Sequence, residues 1–101
     1  MIEKLNEQSV KMLSEALLSL KTAQECENLL EDLCTMSEIK AMAQRIEVAK
    51  MLCDKVVYSD IVRTTGASTA TISRVNRALN YGAGGYTTVL ERMNEKEKSN
   101  G

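Results

Sequence analysis

Between Tyr58 and Asn80 the chain reads YSDIVRTTGASTATISRVNRALN: a short helix, a turn at Gly66 and a second helix. Ser59 can cap the first helix by accepting from N–H groups of its opening turn, and Asp60 then stands where the macrodipole favours negative charge. The helix is therefore expected to begin near Asp60. Ile61 and Val62 face inward, and Gly66, free to take the left-handed conformation, stops the helix. Ser68 caps the one that follows.

On the second helix, 100° per residue gathers Ile72, Val75 and Leu79 into one apolar stripe, to be packed on the first helix and the core. The other side presents Ala70, Ser73, Arg74 and Arg77. Small residues let a helix backbone come close to base edges, while hydroxyl and guanidinium groups donate to phosphates and to guanine. Residues 59–79 thus have the form of a helix-turn-helix. Ser68, Thr69, Ala70, Thr71 and Ser73 are expected to approach the groove, and Arg63, Arg74 and Arg77 to hold phosphates. The plainer reading is a helical hairpin with a wet polar face, but cap, glycine turn, second cap and inward spacing all agree with the first. Thr65 departs from the pattern, because the position before such a turn is usually apolar.

A chain of 101 residues suits one domain, expected over residues 1–98 with a frayed tail at 99–101, and a domain this small gains from a partner subunit. Hydrophobic residues make up 44% with no Phe, Trp or Pro, a composition that favours an all-α fold. The net charge of −1 excludes a generally basic coat, so nucleic-acid binding must rest on a local surface. The distribution permits this: Ser59 to Tyr86 carries three arginines against Asp60, leaving the excess acid elsewhere.

Cys26, Cys34 and Cys53 are odd in number, lack a C-x-x-C spacing and have no histidine beside them. Neither a metal site nor a disulfide framework is indicated. They are expected to be buried or half-buried thiols in a reducing cytoplasm. No signal peptide is read at the start and no apolar run approaches the ~20 residues that cross a bilayer, so the expectation is a cytoplasmic protein with no membrane partner.

Three helices are predicted before Tyr58. The first runs from about Glu3 to Leu20, with Leu5, Val10, Leu13, Leu17 and Leu20 at helical spacing. Thr22 with Glu25 and Thr35 with Glu38 fit capping boxes that open the second and third. The third, Met36 to about Asp54, is apolar on two sides: Ile39, Met42, Ala43, Ile46 and Cys53 on one, Val48, Met51 and Leu52 on another. A helix apolar on two sides needs two covers; the second is supplied either by a neighbouring subunit or within a tightly folded monomer, and a homodimer is favoured. After Asn80, Tyr81-Gly82-Ala83-Gly84-Gly85-Tyr86 forms a connector rather than a phosphate loop, since the lysine and hydroxyl of a P-loop are absent. A last helix is expected to open at Thr87 or Thr88 and to fray from Asn94.

Gly66-Ala67-Ser68-Thr69-Ala70-Thr71-Ile72-Ser73-Arg74 closely resembles the Gly-Ala-x-x-Ala-Thr-Ile-Thr-Arg signature of the tryptophan repressor family, and Asn80-Tyr81-Gly82 to Tyr86 resembles its YerC/YecD-like branch. The likeness is best from Thr35 to Leu79. It implies a six-helix, all-α fold and an intertwined homodimer whose paired units enter successive major grooves of double-stranded DNA about one helical turn apart. By the same resemblance, Arg45 and Arg74 match the two arginines that flank bound tryptophan. Val75 stands where the family has a pocket glycine, and Ala78 where it has a serine that helps hold the ammonium. A branched side chain fills the pocket and a methyl accepts no hydrogen bond, which argues against tryptophan as corepressor. Unaided DNA binding or a different effector then remain.

The functional expectation is a sequence-specific DNA-binding transcriptional regulator, acting as a repressor. The alternative is a helical adaptor whose helix-turn-helix has been diverted to a protein partner. An enzyme is disfavoured: the chain has no histidine, and its acidic residues are scattered over solvent-facing helix positions. No cofactor is expected.

Overall fold

Six helices make up the described part of the chain, and no strand occurs there. The computed structural model describes residues 6–100, with side chains through Lys98. The helices are α1 (Glu7–Leu18), α2 (Ala23–Leu33), α3 (Met36–Cys53), α4 (Tyr58–Thr65), α5 (Thr69–Tyr81) and α6 (Gly85–Asn100). Contacts divide the chain between Ile39 and Lys40 into two compact units.

In the first unit, helix starts follow from short polar side chains. Asn6 opens α1 by accepting from the N–H groups of Gln8 and Ser9 through its Oδ1. The expected start at Glu3, and Leu5 with it, lie outside the described residues. The helix ends at Leu18 rather than Leu20. At α2, Thr22 Oγ1 accepts from Glu25 N–H at 3.1 Å, but Glu25 reaches back one residue further than a capping box requires, to Lys21 N–H. The box at α3 is reciprocal: Glu38 N–H donates to Thr35 Oγ1 and Thr35 N–H to Glu38 Oε1, at 3.1 and 2.8 Å. The Thr35 N–H, and after it the Thr35 side chain, hold the Glu38 carboxyl below its usual range. Neither α1 nor α2 buries a side chain.

The second unit holds the core. Val48 and Ala49 of α3, Ile61 of α4, Ala67 of the turn, and Ile72 and Val75 of α5 are all buried together. Met51, Leu52, Val56, Val62, Leu79, Tyr86 and Leu90 pack around them. The inward stripe predicted for α5 is therefore the core stripe. Along α3, only the Val48, Met51, Leu52 side is covered this way; Ala43 and Cys53 of the other stripe are exposed, and Met42 and Ile46 half-buried.

Several expectations are corrected. α4 begins at Tyr58, two residues before Asp60, with Val57 at its N-cap and no side-chain cap. Both Asp60 and Ile61 N–H groups donate to the Val57 carbonyl, so Ser59 sits inside the first turn rather than ahead of it. Asp60 keeps its place near the positive end of the helix. α6 begins at Gly85, and the Thr88 hydroxyl donates back to the Gly84 carbonyl instead of capping. It remains helical past Asn94 to Asn100, through a run of Glu and Lys that are strong helix formers; Gly101 lies outside the described residues. The connector shrinks to Gly82–Gly84. Gly82 ends α5 with extended backbone, and a Cβ there would collide with the Ala78 carbonyl. Cys26 and Cys53 are exposed, not buried, because α2 buries nothing and Cys53 faces the open side of α3; only Cys34 is half-buried. No described helix is long and apolar enough to cross a membrane.

Candidate nucleic-acid interface

The segment from α4 to α5 is held by a turn built on a network of short-range hydrogen bonds. Thr65 is the last residue of α4, and Gly66 follows in the left-handed conformation, φ 74° and ψ 4°. The Gly66 N–H closes the helix on the Val62 carbonyl at 2.9 Å. Ala67 is buried in the core, which anchors the turn by a side chain small enough to fit beneath it. Ser68 Oγ then accepts from Thr71 N–H at 3.1 Å, the expected N-cap, and donates to Thr71 Oγ1 at 3.0 Å.

With Ile72 and Val75 fixed inward, the geometry of α5 leaves a polar side outward. Ser68, Thr69, Ala70, Ser73, Arg74 and Arg77 are all exposed. Thr71 is half-buried and its hydroxyl is occupied by Ser68, so it serves the cap more than the outer face. Arg74 and Arg77 form no ion pair among the described residues, which leaves two guanidinium groups available to an anion. Arg63, exposed on α4, makes one 2.8 Å contact with Asp60 Oδ1 through Nη2, and its remaining N–H groups stay free.

The two arginines singled out for an effector differ in exposure. Arg45 is half-buried and Arg74 exposed. One cleft of about 440 Å³ is lined by Ile46, Ala78, Ala83, Tyr86 and Val89, and another of about 350 Å³ lies along Lys50, Cys53 and one side of α6. Neither is lined by Arg45 or Arg74. Val75 is spent in the core.

Sequence reasoning missed Gln44. Its Nε2 donates to the Thr65 carbonyl at 3.1 Å, in a half-buried setting. Thr65 itself, out of pattern for an apolar site, donates its hydroxyl to the Ile61 carbonyl at 2.7 Å and accepts from Ala67 N–H at 3.1 Å. The signal was the hydroxyl where a methyl was expected: a half-buried polar group implies polar partners.

This chain is similar to known proteins in sequence and in fold. YerC of Bacillus subtilis (strain 168), an uncharacterized protein, is 49% identical over 96 residues, covering 95% of this chain and 92% of its own. The crystal structure of a TrpR-like protein from Eubacterium eligens ATCC 27750 superimposes with a TM-score of 0.87 at 54% identity, over 91% of this chain and 95% of that one. A candidate Trp repressor from Staphylococcus aureus gives 0.89 at 46% identity, over 93% and 94%. The family model described as Trp repressor protein matches residues 8–94, from α1 into α6 and across both units. Six helices in the same order, a left-handed Gly66 between a short helix and a capped one, and a match running nearly end to end have one explanation: the chain belongs to the Trp repressor family.

Proposed function

We propose that the protein is a sequence-specific DNA-binding transcriptional regulator, a repressor that acts as a homodimer in the cytoplasm. α4, the Gly66 turn and α5 form its helix-turn-helix, with α5 as the recognition helix. The observation that carries this reading is the outward face of α5: Ala70, Ser73, Arg74 and Arg77 are exposed while Ile72 and Val75 of the same helix are buried. A helix so oriented offers small residues, hydroxyls and guanidinium groups to a groove and its phosphates. Membership of a family named for a repressor supports it.

Within this reading residues 1–98 act as one domain, since the family match spans both compact units. Ser68, Thr69, Ala70, Thr71 and Ser73 lie toward bases, Thr71 chiefly by holding the cap; Arg63, Arg74 and Arg77 hold phosphates. Tryptophan is disfavoured as corepressor, because Ala78 offers no acceptor for its ammonium group.

Selection of bound duplexes from a random library, with and without tryptophan, tests the proposal. Palindromic enrichment that is indifferent to tryptophan is expected. Arg77→Ala should weaken binding about equally on all sequences and lower the slope of log affinity against log salt by about one. A helical adaptor would instead give no salt-sensitive retention of any duplex.

A further inference from the structure

We infer that Gln44 is a positioning residue for the recognition helix: its side-chain amide latches the turn that aims α5. This rests on α5 being the DNA-reading helix. Every other side-chain hydrogen bond among the described residues joins partners no more than four residues apart, whereas Gln44 and Thr65 are 21 apart. The bond thus ties α3 to the turn, with no counterpart among the other side chains. It lands on a group that needs a partner, because the carbonyls at the end of a helix have none within it. The left-handed turn at Gly66 follows immediately, so the orientation of the Thr65 carbonyl and the exit direction of the chain toward Ser68 are set by the same backbone angles.

Thr65 makes the latch specific to this turn. An apolar residue would fix the end of α4 by packing alone; here the hydroxyl bridges the Ile61 carbonyl and the Ala67 N–H, stiffening the two residues on either side of Gly66. Ala67 is in the core and Gln44 grips from α3, so beyond its own local bonds the turn is held by one apolar anchor and one polar contact from α3. Removing the amide leaves the buried stripe of Ile61, Ile72 and Val75 in place but frees the turn to explore other exits. Binding to DNA then selects only the correctly aimed fraction, and affinity falls by that fraction.

The full-length protein carrying Gln44→Ala, and separately Gln44→Glu, which keeps the shape but offers a carboxylate that cannot donate, tests this. Faster hydrogen exchange at the Gly66 and Ala67 amides is expected in both, with the amides in the middle of α5 unchanged. On a selected duplex Gln44→Ala should lose about fivefold in affinity, the scale one uncharged hydrogen bond supports, with the same salt slope as the parent. Unchanged exchange at Gly66 and Ala67 would overturn the latch. Should the parent protein retain no duplex at all, the DNA reading fails by itself, and the exchange data still decide whether Gln44 holds the turn.

Discussion

At Gly66 the backbone stands at φ 74°, and a Cβ added there would meet no atom within 4 Å. The constraint is conformational and not steric crowding, so Gly66→Ala should cost about 1–2 kcal/mol, the penalty of an L residue in the left-handed region. Chemical denaturation reads it directly, and an unchanged midpoint would mean that the turn can relax into another geometry. Ser68 is a different kind of site. Its Oγ satisfies the Thr71 N–H, and Ser68→Ala should cost about 1 kcal/mol while releasing the Thr71 hydroxyl from its partner. The two losses separate by duplex binding: Gly66→Ala alters where α5 points, whereas Ser68→Ala changes what its first turn presents.

At the scale of the elements, α3 carries a pH-dependent start. The folded pKa of Glu38 is lowered by Thr35, so the contribution of this bond is present above the ordinary glutamate range and is lost as pH falls through the lowered value. Glu38 is fully exposed, and the effect is best read locally: the Thr35 amide resonance should titrate only in acid below the usual glutamate range, and Glu38→Gln, which keeps an acceptor, should flatten it. Titration at the ordinary glutamate value would show that the bond does not form in solution. The same element explains what the sequence could and could not disclose. The caps at Thr22, Thr35 and Ser68 were legible because donor and acceptor lie three residues apart, as were Ile61, Ile72 and Val75, which share a helical period. The starts of α4 and α6 were not, because Val57 caps without a side chain and the Thr88 hydroxyl turns back to a carbonyl. Gln44 was invisible for a related reason: 21 residues separate it from its acceptor, and no local rule spans that distance. The outer face of α5 was readable because it is the complement of the buried stripe. The cysteines were misread since composition says which residues tend to be buried, not which helices have anything to be buried against.

For the molecule as a whole, among the described residues, all the fully buried apolar side chains lie from Val48 to Val75, while α1 and α2 bury none. Those two helices have 12 and 11 residues, lengths at which an isolated helix is marginal in water. Local caps at Asn6 and Thr22 contribute roughly 1 kcal/mol each, too little to make either helix stable alone. The apolar side chains they carry are nevertheless exposed in the single chain, Met12 at 74% and Leu18 at 85%, together with Leu13, Leu17 and Leu33. Helices this short, with this much uncovered apolar surface, acquire stability from tertiary cover, and in the proposed homodimer a second copy provides it. The thermal midpoint should therefore rise with protein concentration, as mass action requires when association and folding are linked. Replacing Leu13 and Leu17 together with Ser, one turn apart on α1, should reduce the mass measured by sedimentation equilibrium from two chains toward one and lower the helical content by far-UV circular dichroism. Retention of the full dimer mass by that double variant would mean that this face of α1 is not the cover, and a monomeric parent protein would remove the second copy from the account altogether.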